Sequence, residues 1–187
     1  MRLTELEIAR QPWQDMVCGC GDSAEHLAQD LLRLAGRGPG QEPGQEPGQA
    51  SLEGHVWSPV ILWEPAPAVA SVALAALADG IAPAARGRFL DLLQRLVAGE
   101  GTDFASAGRG LDLPESCREL AVQGLWLLYA EVMSNPTTGA AGTAFEILTV
   151  VEPDRARLRR VREIAAERLP VCCRTGLCDD DPVGPGA

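Results

Sequence analysis

Apolar residues recur at helical spacing along most of this 187-residue chain. The clearest case follows Pro83, where Phe89, Leu92, Leu93 and Leu96 fall on one side of a helical wheel. Arg and Asp residues occupy the opposite side. Because an i, i+3, i+4, i+7 pattern is that of an amphipathic helix, this segment predicts a helix with one buried face.

The same pattern predicts seven helices when Pro, Gly and Asp are taken as start and stop signals. They cover residues 23–35, 50–63, 68–78, 83–99, 114–134, 141–151 and 154–169. No run alternates between apolar and polar residues with a period of two, so no sheet is expected. Short connections between the third and fourth helices, and between the sixth and seventh, favour antiparallel hairpins. The sequence therefore predicts an all-α fold of stacked helical hairpins.

Two segments interrupt this helical pattern. Residues 36–50 repeat the tetrapeptide Pro-Gly-Gln-Glu, in which Pro removes backbone donors and Gly adds freedom, so we expect a disordered insert. Residues 179–187 (DDDPVGPGA) predict a disordered acidic tail. Residues 1–178 are otherwise long enough to bury one core. We therefore expect a single helical domain with one insert and one tail.

Composition and charge narrow the classes of function. The net charge of −10 disfavours general binding to nucleic acids or to anionic membranes. Every basic residue is Arg, which indicates a GC-rich genome rather than a specialised surface. Residues 1–13 lack the apolar core of a secretory signal, and the apolar stretch at 60–78 is interrupted by Glu64 and two prolines. We therefore expect a cytoplasmic protein with no membrane association.

The sequence contains no recognisable catalytic motif. It lacks a G-x-S-x-G nucleophile elbow, and its Gly-rich stretches lack the Lys-Ser/Thr pair of a phosphate-binding loop. His26 is expected on the solvated side of the first helix, and His55 lies near Trp57. Two lone histidines without a paired carboxylate do not form a general-base system. We therefore expect a protein that is not an enzyme and has no cofactor.

Cysteines offer an alternative chemistry. Cys18, Cys20, Cys172, Cys173 and Cys178 together supply enough thiolates for a metal ion, and the last three also for a redox pair. Their spacing differs from the two-residue gaps of common zinc modules, and the two groups lie at opposite ends of the chain. Cytoplasmic cysteines are mostly reduced thiols without such a role. A metal or redox site at these cysteines therefore stays an alternative.

Several motifs between residues 13 and 170 occur in an order known from helical-repeat proteins. They are Trp13 with Gly21-x-x-Ala24, Leu52-x-Gly54-x-x-Trp57, Pro67-Ala68-Val69, RGRFLDLLQRLVAG at 86–99 and CRELAV at 117–122. In this order they resemble the HEAT-repeat-like (armadillo-type) proteins common in actinobacteria. The chain departs from that pattern at Ser58-Pro59-Val60, where similar proteins carry a polar His-Gln-Gly segment. The resemblance implies a right-handed α-solenoid and a role in protein binding.

These observations together predict a non-catalytic scaffold that binds another protein, as an adaptor or an immunity-type inhibitor. The predicted contact residues are aromatic anchors and Arg side chains of the last helix: Trp57, Trp63, Phe104, Arg155, Arg159 and Arg162. That Arg-rich helix also leaves nucleic-acid binding open as a further alternative. A solvated face balanced by Asp154, Glu163 and Glu167 explains the same charges.

Overall fold

The computed structural model describes residues 2–36 and 52–177. Helices make up most of these residues. They are α1 (Leu3–Arg10), α2 (Glu25–Gly36), α3 (Ala66–Ala78), α4 (Pro83–Val97), α5 (Phe104–Gly108), α6 (Leu113–Gln123), α7 (Leu125–Ser134), α8 (Thr138–Val151), α9 (Arg155–Ile164) and α10 (Val171–Thr175). Three two-residue strands accompany them: β1 (Trp57–Ser58), β2 (Ile61–Leu62) and β3 (Gly101–Thr102). The predicted predominance of helix is confirmed.

The core forms where the longer helices meet. Helix α3 packs against α1, α4 and α6, and its many alanines allow these neighbours to approach on several sides. Helix α8 packs against α4 and α7. Phe89 of α4 and Phe145 of α8 are the largest of the fully buried side chains. One hydrophobic cluster extends from Ile8 to Cys173 and thus joins both ends of the described chain.

The prediction of a helix over residues 50–63 is wrong wherever that segment is described. Strands β1 and β2 pair antiparallel there, and β2 pairs parallel with β3. Pro59 cannot donate a helical hydrogen bond, and Gly54 has a φ of 83°, a conformation that favours glycine. A small three-stranded sheet therefore lies where the sequence predicted none.

Other segments also differ from the predicted helices. The helix predicted over 114–134 is divided at Gly124, where an added Cβ would lie 2.4 Å from Cδ2 of Leu74. The segment between the predicted helices 83–99 and 114–134 contains β3 and α5. The last predicted helix ends at Ile164, before a short 3-10 turn. Helix α1 was not predicted because its buried stripe is only Thr4 and Ile8.

The predicted insert lies outside the described residues, apart from Gly36 at the end of α2. The predicted acidic tail at 179–187 also lies outside them. Within residues 2–36 and 52–177, no helix combines the length and the apolar character needed to cross a bilayer.

Candidate metal centre

A tight loop at residues 17–23 holds two cysteines close together. The backbone N–H of Cys18 donates to the carbonyl of Asp22 over 2.8 Å, and that of Gly21 donates back to the carbonyl of Cys18 over 2.8 Å. Gly21 has a φ of 89°, which lets the chain reverse directly after Cys20. The loop therefore places the Cys18 and Cys20 thiols on one side.

Gly19 brings this loop against a second segment of the chain. Its N–H donates to the carbonyl of His55 over 2.9 Å. A Cβ added to Gly19 would lie 2.4 Å from the carbonyl oxygen of Gly54 and 2.7 Å from the ring of Trp63. Only glycine fits between these groups, because neither a backbone carbonyl nor an indole ring can move aside cheaply. The close approach carries His55 to the cysteine loop.

Four potential metal ligands converge between these segments: Cys18, Cys20, His26 and His55. His26 lies in the first turn of α2, and His55 lies two residues before β1. Their ligand atoms all lie within 4.8 Å of one another. Cys18 Sγ is 3.1 Å from His55 Nδ1 and 3.7 Å from His26 Nε2, and the two nitrogens are 3.1 Å apart.

The distances among the ligand atoms of Cys18, His26 and His55 lie within about 0.5 Å of those in a tetrahedral zinc shell. Zn–S bonds of about 2.3 Å and Zn–N bonds of about 2.0–2.1 Å place sulfur and nitrogen roughly 3.5 Å apart around one ion. The two nitrogens of such a shell lie roughly 3.3 Å apart. Two thiolates and two neutral imidazoles also balance the charge of a divalent ion. The set is therefore a Cys2His2 arrangement of the kind that zinc prefers.

Hydrogen bonding orients His26 as a ligand. Its Nδ1 lies 3.2 Å from the carbonyl oxygen of Ser23. Because a carbonyl only accepts, Nδ1 carries the proton, and the lone pair of Nε2 is directed toward Cys18 and His55. A backbone carbonyl on the remote nitrogen is the usual support of a metal-bound histidine.

Burial and hydrogen bonding set the ionisation of the groups around the loop. Burial raises the pKa of the Cys18 thiol to about 11, whereas a coordinated metal removes that proton outright. Glu64 accepts a hydrogen bond from the backbone N–H of Val17 over 2.9 Å and pairs with Arg109 at 2.9 Å. The hydrogen bond from Arg109 lowers the pKa of Glu64 despite its partial burial. The hydrogen bond from Val17 anchors the start of the loop to Glu64, two residues before α3.

The two histidines are candidate ligands that the sequence did not predict. The prediction that His26 lies on the solvated side of the first helix is wrong, since the ring is partly buried beside Cys18. The histidines are not isolated either, because their ring centroids are 4.8 Å apart. The available signal was a Cys-Gly-Cys-Gly segment followed six residues after Cys20 by a histidine in a helical first turn.

The cysteines predicted as one alternative set belong to separate places. Cys18 and Cys20 group with the histidines, whereas Cys172 and Cys173 group with Glu146. Cys178 lies outside the described residues. Cys117 is fully buried and belongs to neither group, and its burial raises the pKa of the thiol to about 12. The terminal cysteine groups therefore do not form a common metal site across the described chain.

The predicted partner-binding aromatics differ strongly in exposure. Trp57 is buried, at 8% exposure, with the guanidinium of Arg95 6.0 Å from its ring. Trp63 is half-buried and would contact any side chain at Gly19. The two rings therefore pack in the core and against the cysteine loop, and they do not form an open surface. Phe104 is 96% exposed and Trp126 is 73% exposed.

Intramolecular contacts engage much of the Arg-rich helix α9. Arg155, which is exposed, donates to the carbonyl of Thr149 over 2.6 Å. Arg160 pairs with Glu163 at 3.0 Å, and half-buried Arg162 lies 5.3 Å from the ring centroid of Phe145. Arg159 is exposed. Binding of a nucleic acid or an acidic partner by this helix stays a prediction.

No family model matches the chain, and neither a curated protein nor a solved structure gives a match. The resemblance to HEAT-repeat-like proteins therefore stays a prediction. The assignment of the candidate metal centre therefore rests on its geometry alone.

Proposed function

We propose that this protein binds a structural zinc ion through Cys18, Cys20, His26 and His55. The observation that carries the proposal is the convergence of four ligand atoms within 4.8 Å of one another. Four protein ligands complete a tetrahedral shell and leave no position for a substrate, which is typical of structural rather than catalytic zinc. The orientation of His26 by the Ser23 carbonyl supports the same assignment.

The proposed role of the ion is to join two parts of the chain. It ties residues 18–26 to His55, which follows the segment 37–51 in the chain. Each side is a loop next to a helix or short strand instead of a helix in the core. A metal bond across such a junction stabilises the folded state because the unfolded chain has no preformed site.

Variants of the ligand loop test the zinc proposal. Under reducing conditions, Cys18→Ser and His55→Ala should each bind one zinc ion fewer per chain than the wild type, measured by native mass spectrometry and elemental analysis. Gly19→Ala should cause the same loss, because its Cβ separates the loop from Gly54 and Trp63.

Two matched substitutions serve as controls for this test. Cys117→Ala removes a thiol far from the loop and should keep the full zinc content. Gly87→Ala adds a methyl group inside α4, where nothing lies within 4 Å, and should keep the zinc and gain about 0.5–1 kcal/mol of stability. Zinc content that is equal in the wild type, Cys18→Ser and His55→Ala would refute the site.

Binding of another protein by a solenoid-like helical scaffold is our second proposal. The order of packing supports it: α1 contacts α3 and α3 contacts α6, while α2 contacts α4 and α4 contacts α8. Two such rows are expected when helical hairpins stack in sequence order. Exposed Phe104 and Trp126 provide aromatic side chains of the type that anchors protein interfaces.

A comparison of surface variants tests this second proposal. Phe104→Ala and Trp126→Ala should leave the unfolding midpoint within about 2 °C of the wild type, since a surface change alters stability by about 0.5 kcal/mol. At least one of the two variants should no longer co-purify with a protein that the tagged wild type captures stoichiometrically from its host. The measurement is quantitative mass spectrometry of co-purified proteins. Identical capture by wild type and both variants would contradict the choice of these anchors.

A further inference from the structure

A second cluster of metal-ligating groups lies at the other end of the described chain. Cys172 and Cys173 of α10 meet Glu146 of α8, and their ligand atoms lie within 4.8 Å of one another. The two Sγ atoms are 3.9 Å apart, and Cys173 Sγ is 3.9 Å from Oε1 of Glu146. Cys173 is fully buried, while the other two residues are half-buried.

Gly142 sets the distance between the two helices that supply this cluster. A Cβ at Gly142 would lie 2.7 Å from Cγ of Pro170, the residue that immediately precedes α10. Gly142 lies four residues before Glu146 on α8, so both occupy the same side of that helix. The missing side chain thus allows the start of α10 to approach the helix that carries Glu146.

The carboxylate of Glu146 is held in a ligand orientation. Gln94 of α4 donates a hydrogen bond from Nε2 to Oε2 of Glu146 over 2.8 Å. The other oxygen, Oε1, is the one closest to Cys173. Metal-bound carboxylates are commonly hydrogen-bonded in this way by a residue outside the coordination shell.

The two thiols are badly placed for a disulfide with each other. Cα atoms of consecutive residues are about 3.8 Å apart, whereas disulfides join Cα atoms about 4.4–6.8 Å apart. A shared metal ion has no such requirement, because sulfur atoms around tetrahedral zinc lie roughly 3.8 Å apart. The observed Sγ–Sγ distance of 3.9 Å agrees with that value.

We propose that Cys172, Cys173 and Glu146 form a second site for a thiophilic divalent ion such as zinc. Three protein ligands leave a tetrahedral ion with one position for an exchangeable ligand, unlike the closed shell at Cys18. Two thiolates select a soft or borderline ion over magnesium or calcium. The site shares no residue with the first, so each can exist without the other.

Zinc stoichiometry tests the second site directly. With zinc alone as the probe and under reducing conditions, the wild type should bind two ions per chain. Cys172→Ser and Glu146→Gln should each bind one, and the double variant Cys18→Ser/Cys172→Ser should bind none. Cys117→Ala is the control and should still bind two. Two ions in both Cys172→Ser and Glu146→Gln would overturn the second site, whatever the result for Cys18→Ser.

Cobalt substitution tests the open position. In the Cys18→Ser variant, which retains only the second site, added imidazole should change the visible spectrum of bound cobalt. In Cys172→Ser, which retains only the closed site, imidazole should have no effect. An unchanged spectrum in Cys18→Ser would overturn the exchangeable position. Glu146→Gln preserves the shape of the side chain. Its zinc content therefore tests the second site even if a cysteine variant fails to fold.

Discussion

Removal of zinc with a chelator is expected to lower the thermal unfolding midpoint of the wild-type protein by about 8–16 °C. The estimate follows from an ion present at about a thousand times its dissociation constant, which adds roughly 4 kcal/mol to the free energy of unfolding. For a chain of this size, 1 kcal/mol corresponds to about 2–4 °C. Scanning calorimetry in the presence and absence of chelator, and again after zinc is restored, measures the change.

The ligand variants separate zinc removal from other effects of the chelator. His55→Ala should have a low midpoint already, and the chelator should lower it further by much less than in the wild type. Gly87→Ala should respond to the chelator as fully as the wild type, because it leaves every proposed ligand in place. A wild-type midpoint that is the same with and without chelator would contradict a stabilising ion.

The long periodic helices were predictable because their own residues determine them. Helix α4 starts at Pro83 and buries the predicted stripe, including Phe89 and Leu93. Periodicity fails where contacts from elsewhere in the fold decide the local structure. One predicted helix divides at Gly124, where a side chain would meet Leu74 of α3. Such an approach involves a residue 50 positions away and leaves no trace in local spacing.

The candidate metal centre was hidden for a related reason. The sequence offers Cys18 and Cys20 as ligands, but the other cysteines that could join them lie at the opposite end of the chain. His55 follows His26 by 29 residues, across the segment 37–51, and no local pattern connects them. The packing of Gly19 on Gly54 and Trp63, with its hydrogen bond to His55, brings the two segments together. The cysteines were therefore predictable as metal ligands from the sequence. The complete set of four ligands could be identified only from the fold.

The buried carboxylate of Glu152, directly after α8, is the centre of a polar network that includes none of the proposed metal ligands. The Glu152 side chain is fully buried and accepts hydrogen bonds from Nε and Nη2 of Arg157 over 2.9 and 2.7 Å. The hydroxyl of Tyr129 and the backbone N–H of Asp154 also donate to it. Arg157 lies 5.5 Å from the ring centroid of Trp126. The network therefore connects α7 and α9 through one carboxylate.

The pKa of Glu152 reflects two opposing causes. Burial alone raises it, but hydrogen bonds from Arg157 and Tyr129 outweigh burial and lower it from the ordinary value of 4.5. A carboxyl group whose pKa is lower in the folded state than in the unfolded state stabilises the fold above its unfolded pKa. That contribution is lost as the pH falls through the lowered folded pKa.

Glu152→Gln is expected to reduce the free energy of unfolding by about 2–4 kcal/mol at neutral pH. The amide cannot accept both hydrogen bonds from Arg157, and its own N–H groups face donors, so buried polar groups lose their partners. The difference between wild type and variant should stay constant above about pH 5 and then shrink as the wild-type carboxyl group is protonated. Urea unfolding at a series of pH values measures it.

Glu163→Gln is the matched control, because Glu163 pairs with Arg160 on the same helix but is exposed to solvent. An exposed ion pair contributes at most about 1 kcal/mol, so this variant should unfold nearly as the wild type does at every pH. A Glu152→Gln variant as stable as Glu163→Gln at neutral pH would show that the buried carboxylate does not hold α7 and α9 together. A difference that persisted undiminished in acid would instead assign the effect to side-chain packing, since a charge-dependent contribution must disappear when the carboxyl group is neutral.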